Sequence, residues 1–338
     1  MINKSTNLMF MLMLIMSVLF AISSNSWFTV WMGMEINMMS FIPLIMNQKN
    51  LNSKEASLTY FLIQTIASML MLMSIIMLMI NNKMININMN LTGEYMLISS
   101  LMMKSGMSPF HWWMPKMMEG INWINCLILM TWQKIMPLMM MSIIIEMNII
   151  TIMAMMMSII IGAIGGLNQT SLRKLMAYSS ISNNGWMMAA MMISENMWLM
   201  YFMLYSMMTM AFTLTMNHYK NYHINQLMSM NETTLTKLIL MLNMLSISGL
   251  PPMMGFIPKW MVIQSAMSMM EIMLMGVLTI LTLITIYYYL RIMFSSLMLL
   301  NSEPKWNYNK YQINNINMLT AMTSIMGLTI ITIIITIY

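Results

Sequence analysis

Apolar residues along this chain come in long runs separated by short polar stretches, not in the alternation of a half-buried strand or the single stripe of a surface helix. A helix needs about 20 apolar residues to cross a hydrocarbon core of roughly 30 Å. About eleven such runs are predicted, near residues 8–24, 26–46, 57–80, 94–116, 122–146, 148–167, 172–193, 196–217, 236–268, 270–298 and 314–338. The pattern is that of an all-α, polytopic transmembrane helical bundle, with residues 1–338 expected to form a single integral-membrane domain. Two runs carry helix breakers. KSGMSPFHWWMPKMMEG, from Lys104 to Gly120, holds Pro109, and the overlong ninth run holds SGLPPMMGFIPKW, with Pro251, Pro252, Gly255 and Pro258. Proline removes a backbone donor and bends a helix, so breaks are predicted near Pro109 and across Pro251–Pro258. Transporters keep their ion sites at such broken helices.

Composition sharpens this picture. The chain of 338 residues is 59% hydrophobic and 7% charged, and its mean hydropathy of +0.73 lies far above that of a soluble domain. There are 63 methionines, and the nine acidic residues are all glutamate. Methionine replaces isoleucine with little loss of packing. The bias is that of an A/T-rich genome whose code reads ATA as Met, which hints at mitochondrial synthesis. A Met-rich metal or peptide binder would cluster its methionines in polar surroundings, whereas these spread over every apolar run. The first run continues through Ser24 without a small-residue cleavage site, so no removable leader is expected. Cys126 lies inside an apolar run and reads as a small hydrophobe.

The basic residues test the helix count, because loops on one side of a membrane should hold them. Lys4, Lys49, Lys54, Lys116, Arg173, Lys174, Lys220, Lys237, Arg291, Lys305 and Lys310 all fall on the side of the amino terminus, and Lys83 alone falls opposite. That side is expected to be the mitochondrial matrix or a bacterial cytoplasm, with Tyr338 facing the other way. The net charge of +6 is thereby explained by topology, and no nucleic-acid partner is implied.

Four charged residues remain inside predicted helices: Glu35, Lys104, Lys134 and Lys259. Together they would cost on the order of 10 kcal/mol unless paired or hydrated. Desolvation weakens an ammonium's hold on its proton and a nearby carboxylate strengthens it, so moving Glu35 relative to Lys104 would switch proton affinity. The competing structural reading is a fixed Glu35–Lys104 ion pair that sets helix register, with Lys134 and Lys259 snorkelling to an interface. His111 could relay protons between lysines, or simply pack. His218 and His223 read as residues of a solvated loop. Ser179, Ser180, Ser182, Asn183 and Asn184 form a polar cluster that could hold water or join helices. Gly162, Gly165 and Gly166 read as close-packing positions, and Trp27, Trp31 and Trp306 as interfacial anchors. No phosphate loop, Cys/His metal spacing or Ser/His/Asp arrangement is visible in the sequence.

WMGMEINMMSFIPL, KSGMSPFHWWMPKMMEG, WQKIMP, RKLMAYSSIS and GLPPMMGFIPKW, in this order, resemble the subunit 2 family of mitochondrial NADH–ubiquinone oxidoreductase, respiratory complex I. The resemblance covers most of the chain, and its length and Met bias are similar to arthropod members. It implies an antiporter-like fold and a proton-translocating membrane-arm subunit of the inner membrane, driven by electron transfer from NADH to ubiquinone elsewhere in the complex. By motif position it assigns Glu35, Lys104, Lys134 and Lys259 to the family's central polar axis, and His111 to the histidine of its PFH motif. It implies no cofactor on this chain, with NADH, FMN, iron–sulfur clusters and ubiquinone held by other subunits, and it implies neighbouring membrane-arm subunits and lipids such as cardiolipin as partners. Two positions depart from the family: Asn183, where relatives usually carry histidine, which puts a histidine relay there in doubt, and Lys116, where many are acidic. The alternatives are an Mrp-like sodium/proton antiporter subunit, a structural membrane subunit that does not itself pump, and a small-solute carrier, for which no substrate-sized polar pocket is legible.

Overall fold

A computed structural model describes residues 4–47, 49–81, 87–230, 234–268, 272–298 and 315–326. Lys83, Trp306, Lys305, Lys310 and the end of the last predicted run lie outside the described residues. The described chain is helical throughout: α1 Lys4–Ile22, α2 Trp27–Ile45, α3 Leu51–Asn81, α4 Ile87–Ser105, α5 Trp113–Gly120, α6 Trp123–Met130, α7 Trp132–Ile144, α8 Ile149–Gly166, α9 Leu172–Ile193, α10 Glu195–Tyr219, α11 Ile224–Met228, α12 Thr234–Ser248, α13 Phe256–Ser268, α14 Ile272–Met298 and α15 Asn315–Ile325. Among the described residues, seven helical stretches are long and apolar enough to cross a membrane. The other four predicted crossings fall on α4 with α5, on the more polar α9, on the interrupted α12 and α13, and on α15. Large apolar side chains of α1 such as Leu8, Met9 and Met16 are exposed, as a lipid-facing helix requires.

Both predicted breaks are present, and glycine rather than proline makes them. α4 ends at Gly106, whose φ is 71°. The Gly106 N–H donates to the Met103 carbonyl at 3.3 Å and the Met107 N–H to the Met102 carbonyl at 3.0 Å. α12 ends the same way at Gly249, with φ 83°, where Gly249 N–H donates to Ser246 and Leu250 N–H to Leu245. These paired bonds are Schellman caps, which satisfy the last carbonyls of a helix and need a left-handed residue. Pro109 and Pro251 follow two or three residues later and keep the helix from resuming. A third interruption, at Thr131 between α6 and α7, carries no glycine or proline at the break itself, so the predicted run 122–146 had read as one helix.

The chain divides into two units, residues 1–151 and 152–338. In the first, α1 lies along α2, where Gly33 faces Ala21, and α3 packs on α2, α4 and α5. Trp132 on α7 donates its indole N–H to the Leu14 carbonyl at 3.3 Å, and Asn125 on α6 donates to Leu44 at 2.8 Å. The Trp31 indole N–H reaches the Ser68 carbonyl at 3.2 Å and ties α2 to α3. In the second unit α9 is buried along nearly its whole length. Gly162 on α8 meets Ser182, Gly165 meets Tyr178 and Gly166 meets Tyr288, so these glycines serve close packing as their sequence suggested. His218 and His223 are exposed, and His223 sits in a two-residue antiparallel bridge with Ser171.

Gly106→Ala and Gly249→Ala are expected to weaken the two caps, since a Cβ in the left-handed region costs about 1–2 kcal/mol. At Gly249 the new Cβ would also lie 2.9 Å from Lys259 Nζ. Heating membranes that carry each variant and following the surviving chain on native gels should show a lower midpoint than wild type, with Gly249→Ala the worse of the two.

Candidate functional site

The first unit holds a cavity of about 30 Å³ whose walls include the polar side chains of Lys104, Lys134, Asn37, Tyr60, Gln64 and Gln133. That volume has room for water, and the walls offer the several polar partners a buried water needs. Each wall residue arrives by a different route. Asn37 comes from α2, Tyr60 and Gln64 from α3, Lys104 from the last turn of α4, and Gln133 and Lys134 from the first turn of α7. Pro137, also in the wall, leaves the Gln133 carbonyl without its usual helical donor.

Lys104 is buried, and its ammonium rests against the Met34 sulfur at 3.3 Å and the Met71 sulfur at 3.9 Å. Gln64 Nε2 donates to the Lys104 carbonyl at 3.3 Å, so the backbone at the end of α4 is held from α3. Glu35, half-buried on α2, is near enough for its charge to attract the Lys104 ammonium. Among the described residues, however, the ammonium's hydrogen-bond partners are thioethers, and no carboxylate oxygen is one of them. A thioether is a weak acceptor. The two residues are coupled through space without the fixed ion pair that a purely structural reading would require.

Lys134 is 2% exposed, so it does not snorkel to an interface. His111 is buried in the segment between α4 and α5, where its Nδ1–H donates to the Pro109 carbonyl at 3.3 Å and its ring lies 4.9 Å from that of Trp112. It is not part of the cavity wall that Lys104 and Lys134 share.

In the second unit Lys259 is buried in the first turn of α13, and its Nζ donates to the Ser248 carbonyl at 2.7 Å. The ammonium thus caps the carboxyl end of α12, where the helix dipole favours positive charge. Ser179, Ser180, Ser182, Asn183 and Asn184 are all buried in α9. Their hydroxyls turn back onto the helix, as Ser179 does to the Met176 carbonyl and Ser182 to the Ser179 carbonyl. Asn183 accepts the Tyr201 O–H at 3.0 Å, which joins α9 to α10.

Sequence reasoning missed Asn37, Tyr60, Gln64 and Gln133. Gln64 and Gln133 are amides inside apolar runs, and that anomaly was the available signal. Lys237, counted on the amino-terminal side at the edge of the predicted run 236–268, is 3% exposed at the start of α12. Among the described residues no group of three or more His, Cys, Asp or Glu side chains could hold a metal ion.

A family model described as NADH:quinone oxidoreductase/Mrp antiporter, transmembrane, matches residues 24–285. NADH-ubiquinone oxidoreductase chain 2 of Aedes aegypti is 49% identical over 338 residues, and that of Anopheles gambiae 45% over 341, each alignment covering 98% of both chains. Among solved structures, a chain of respiratory complex I from Thermus thermophilus superposes with a TM-score of 0.82 at 18% identity, covering 96% of this chain and 77% of its own. That likeness shows the antiporter-like fold.

Replacing Lys259 with Met should leave the Ser248 carbonyl without its lysine donor, a loss of about 1–3 kcal/mol for a buried acceptor. Hydrogen exchange of the Gly249, Leu250, Met253, Met254 and Gly255 amides is expected to speed up in Lys259→Met and to stay near wild type in Lys259→Arg, which retains a donor.

Proposed function

The chain belongs to the family of NADH–ubiquinone oxidoreductase chain 2, and from that premise we propose that Glu35, Lys104, Lys134 and Lys259 carry protons through it. It is a core membrane-arm subunit of respiratory complex I, where electron transfer from NADH to ubiquinone is coupled to proton translocation across a mitochondrial membrane. The observation that carries the proton-carrier reading is the cavity walled by both Lys104 and Lys134. Two buried ammonium-forming groups around one space large enough for water are what stepwise proton transfer needs. The thioether seat of Lys104 supports the same reading, since an ammonium held by sulfur gives up a proton more readily than one locked to a carboxylate.

Glu35 acts on Lys104 by charge alone, so a small shift of α2 would change the lysine's proton affinity without breaking a bond. His111, bonded to the Pro109 carbonyl, serves the break between α4 and α5 and joins a proton path only if that segment rearranges. The whole chain acts as one antiporter-like domain, a view supported by a single family match that runs through both of its units. The excess of Lys and Arg on one set of loops favours an inner-membrane orientation with the amino terminus in the matrix and the carboxyl terminus in the intermembrane space. The redox carriers NADH, FMN, the iron–sulfur clusters and ubiquinone are assigned to other subunits. The partners of this chain are neighbouring membrane-arm subunits and inner-membrane lipids such as cardiolipin.

Lys104→Met tests the reading in the assembled complex, with assembly checked on native gels. NADH-driven proton translocation is expected to fall by at least about tenfold, as for loss of a group that moves the proton in the rate-limiting step. Wild-type pumping in a fully assembled Lys104→Met complex would make the chain a scaffold.

A further inference from the structure

Gln133 stands immediately before Lys134, and its side chain is held at both ends. Its Nε2 donates to Asn37 Oδ1 at 2.8 Å, and its Oε1 accepts the Tyr60 O–H at 3.3 Å. One amide therefore joins α2, α3 and α7 around the cavity that Lys104 and Lys134 line. We propose that Gln133 is a positioning residue for proton transfer between Lys104 and Lys134, acting through Tyr60 and Asn37 to orient the water between the two lysines. This inference rests on the proton-carrier reading above.

The argument is one of donor and acceptor counting. A phenol has a single O–H. Because Tyr60 commits that hydrogen to Gln133, its oxygen meets the cavity only as an acceptor. The ring has little freedom to turn, with Phe41 edge-on at 5.4 Å and Trp113 at 6.0 Å. A water in the cavity that donates one O–H to Tyr60 keeps one O–H and its lone pairs. A lone pair receives a hydrogen bond from the Lys104 ammonium, and the remaining O–H is offered to Lys134, which takes up a proton when its amine is neutral.

Transfer then balances without any other reactant. The Lys104 N–H bond breaks as an O–H bond forms on the water, and the water's other O–H breaks as an N–H bond forms on Lys134. Water is regenerated, Lys104 is left neutral, and one positive charge has moved to Lys134. Without the Gln133 carbonyl, Tyr60 would turn its hydrogen into the cavity and present a donor where the water needs an acceptor.

The test uses the assembled complex in membranes, with Gln133→Met, which keeps the length and loses the hydrogen bonds, with Tyr60→Phe, and with both together. Lys104→Met runs in parallel. Proton translocation per unit of assembled complex and its solvent deuterium isotope effect are measured. Each single variant is expected to pump about tenfold more slowly with a raised isotope effect, and the double variant no more slowly than either, because both break the same chain. Should Gln133→Met fail to assemble, Tyr60→Phe carries the same expectation and decides the matter. Wild-type rates and isotope effects in these variants, alongside a pumping-deficient Lys104→Met, would overturn the role of Gln133 alone. An additive loss in the double variant with an unchanged isotope effect would reduce the amide to a staple between helices and equally overturn it. Normal pumping by Lys104→Met would overturn the proton-carrier reading itself.

Discussion

The arrangement depends on one constraint: in a medium without water, every backbone carbonyl and every ammonium must find its partner inside the protein. An unbroken helix meets that demand for its own backbone and leaves nothing for a buried cation. A broken helix must cap its loose end, and the cap creates carbonyls and space that a cation can use. Gly106 and Gly249 supply the two caps, each by turning left-handed so that its own amide and the next one can reach back to the final carbonyls.

The three buried lysines at the centre of the functional reading each sit within one turn of an interruption. Lys104 closes α4, Lys134 opens α7 after Thr131, and Lys259 opens α13. Their seats differ in strength. Lys259 is held firmly by the Ser248 carbonyl at 2.7 Å, while among the described residues the hydrogen-bond partners of the Lys104 ammonium are thioethers. Lys134 and Lys104 share a space that can hydrate them. A cation with a strong fixed partner gives up its proton only as that bond breaks, whereas one with weak partners beside water trades its proton at lower cost. The methionine bias of the sequence thus acquires a local consequence, since Met34 and Met71 give Lys104 an apolar but polarizable surrounding in place of an ion pair.

Much of this was legible beforehand for a simple reason. Charges in apolar runs are anomalies of composition, and Glu35, Lys104, Lys134 and Lys259 stand out without any knowledge of packing. The breaks were legible for the same reason, since Pro109 and Pro251 cannot continue a helix. What patterning did not show is where a side chain ends up. It did not show that the Trp31 indole ties α2 to α3 through the Ser68 carbonyl, or that Lys237 is buried at the start of α12. The interruption at Thr131 had no breaker residue to announce it.

By itself, then, the sequence determined the all-helical membrane architecture, the position of its breaks to within a few residues, and the set of charges that had to be accommodated, because each follows from the free energy of placing a polar group in hydrocarbon. Tertiary structure alone decided which of those charges meet. His111 and Lys104 are seven residues apart yet face different surroundings, whereas Asn37, Tyr60 and Gln133, scattered over nearly a hundred residues, close on one cavity. Hydrophobic patterning says only that a residue is inside; the register and rotation with which helices pack say what it finds there, and those depend on contacts between segments distant in the chain.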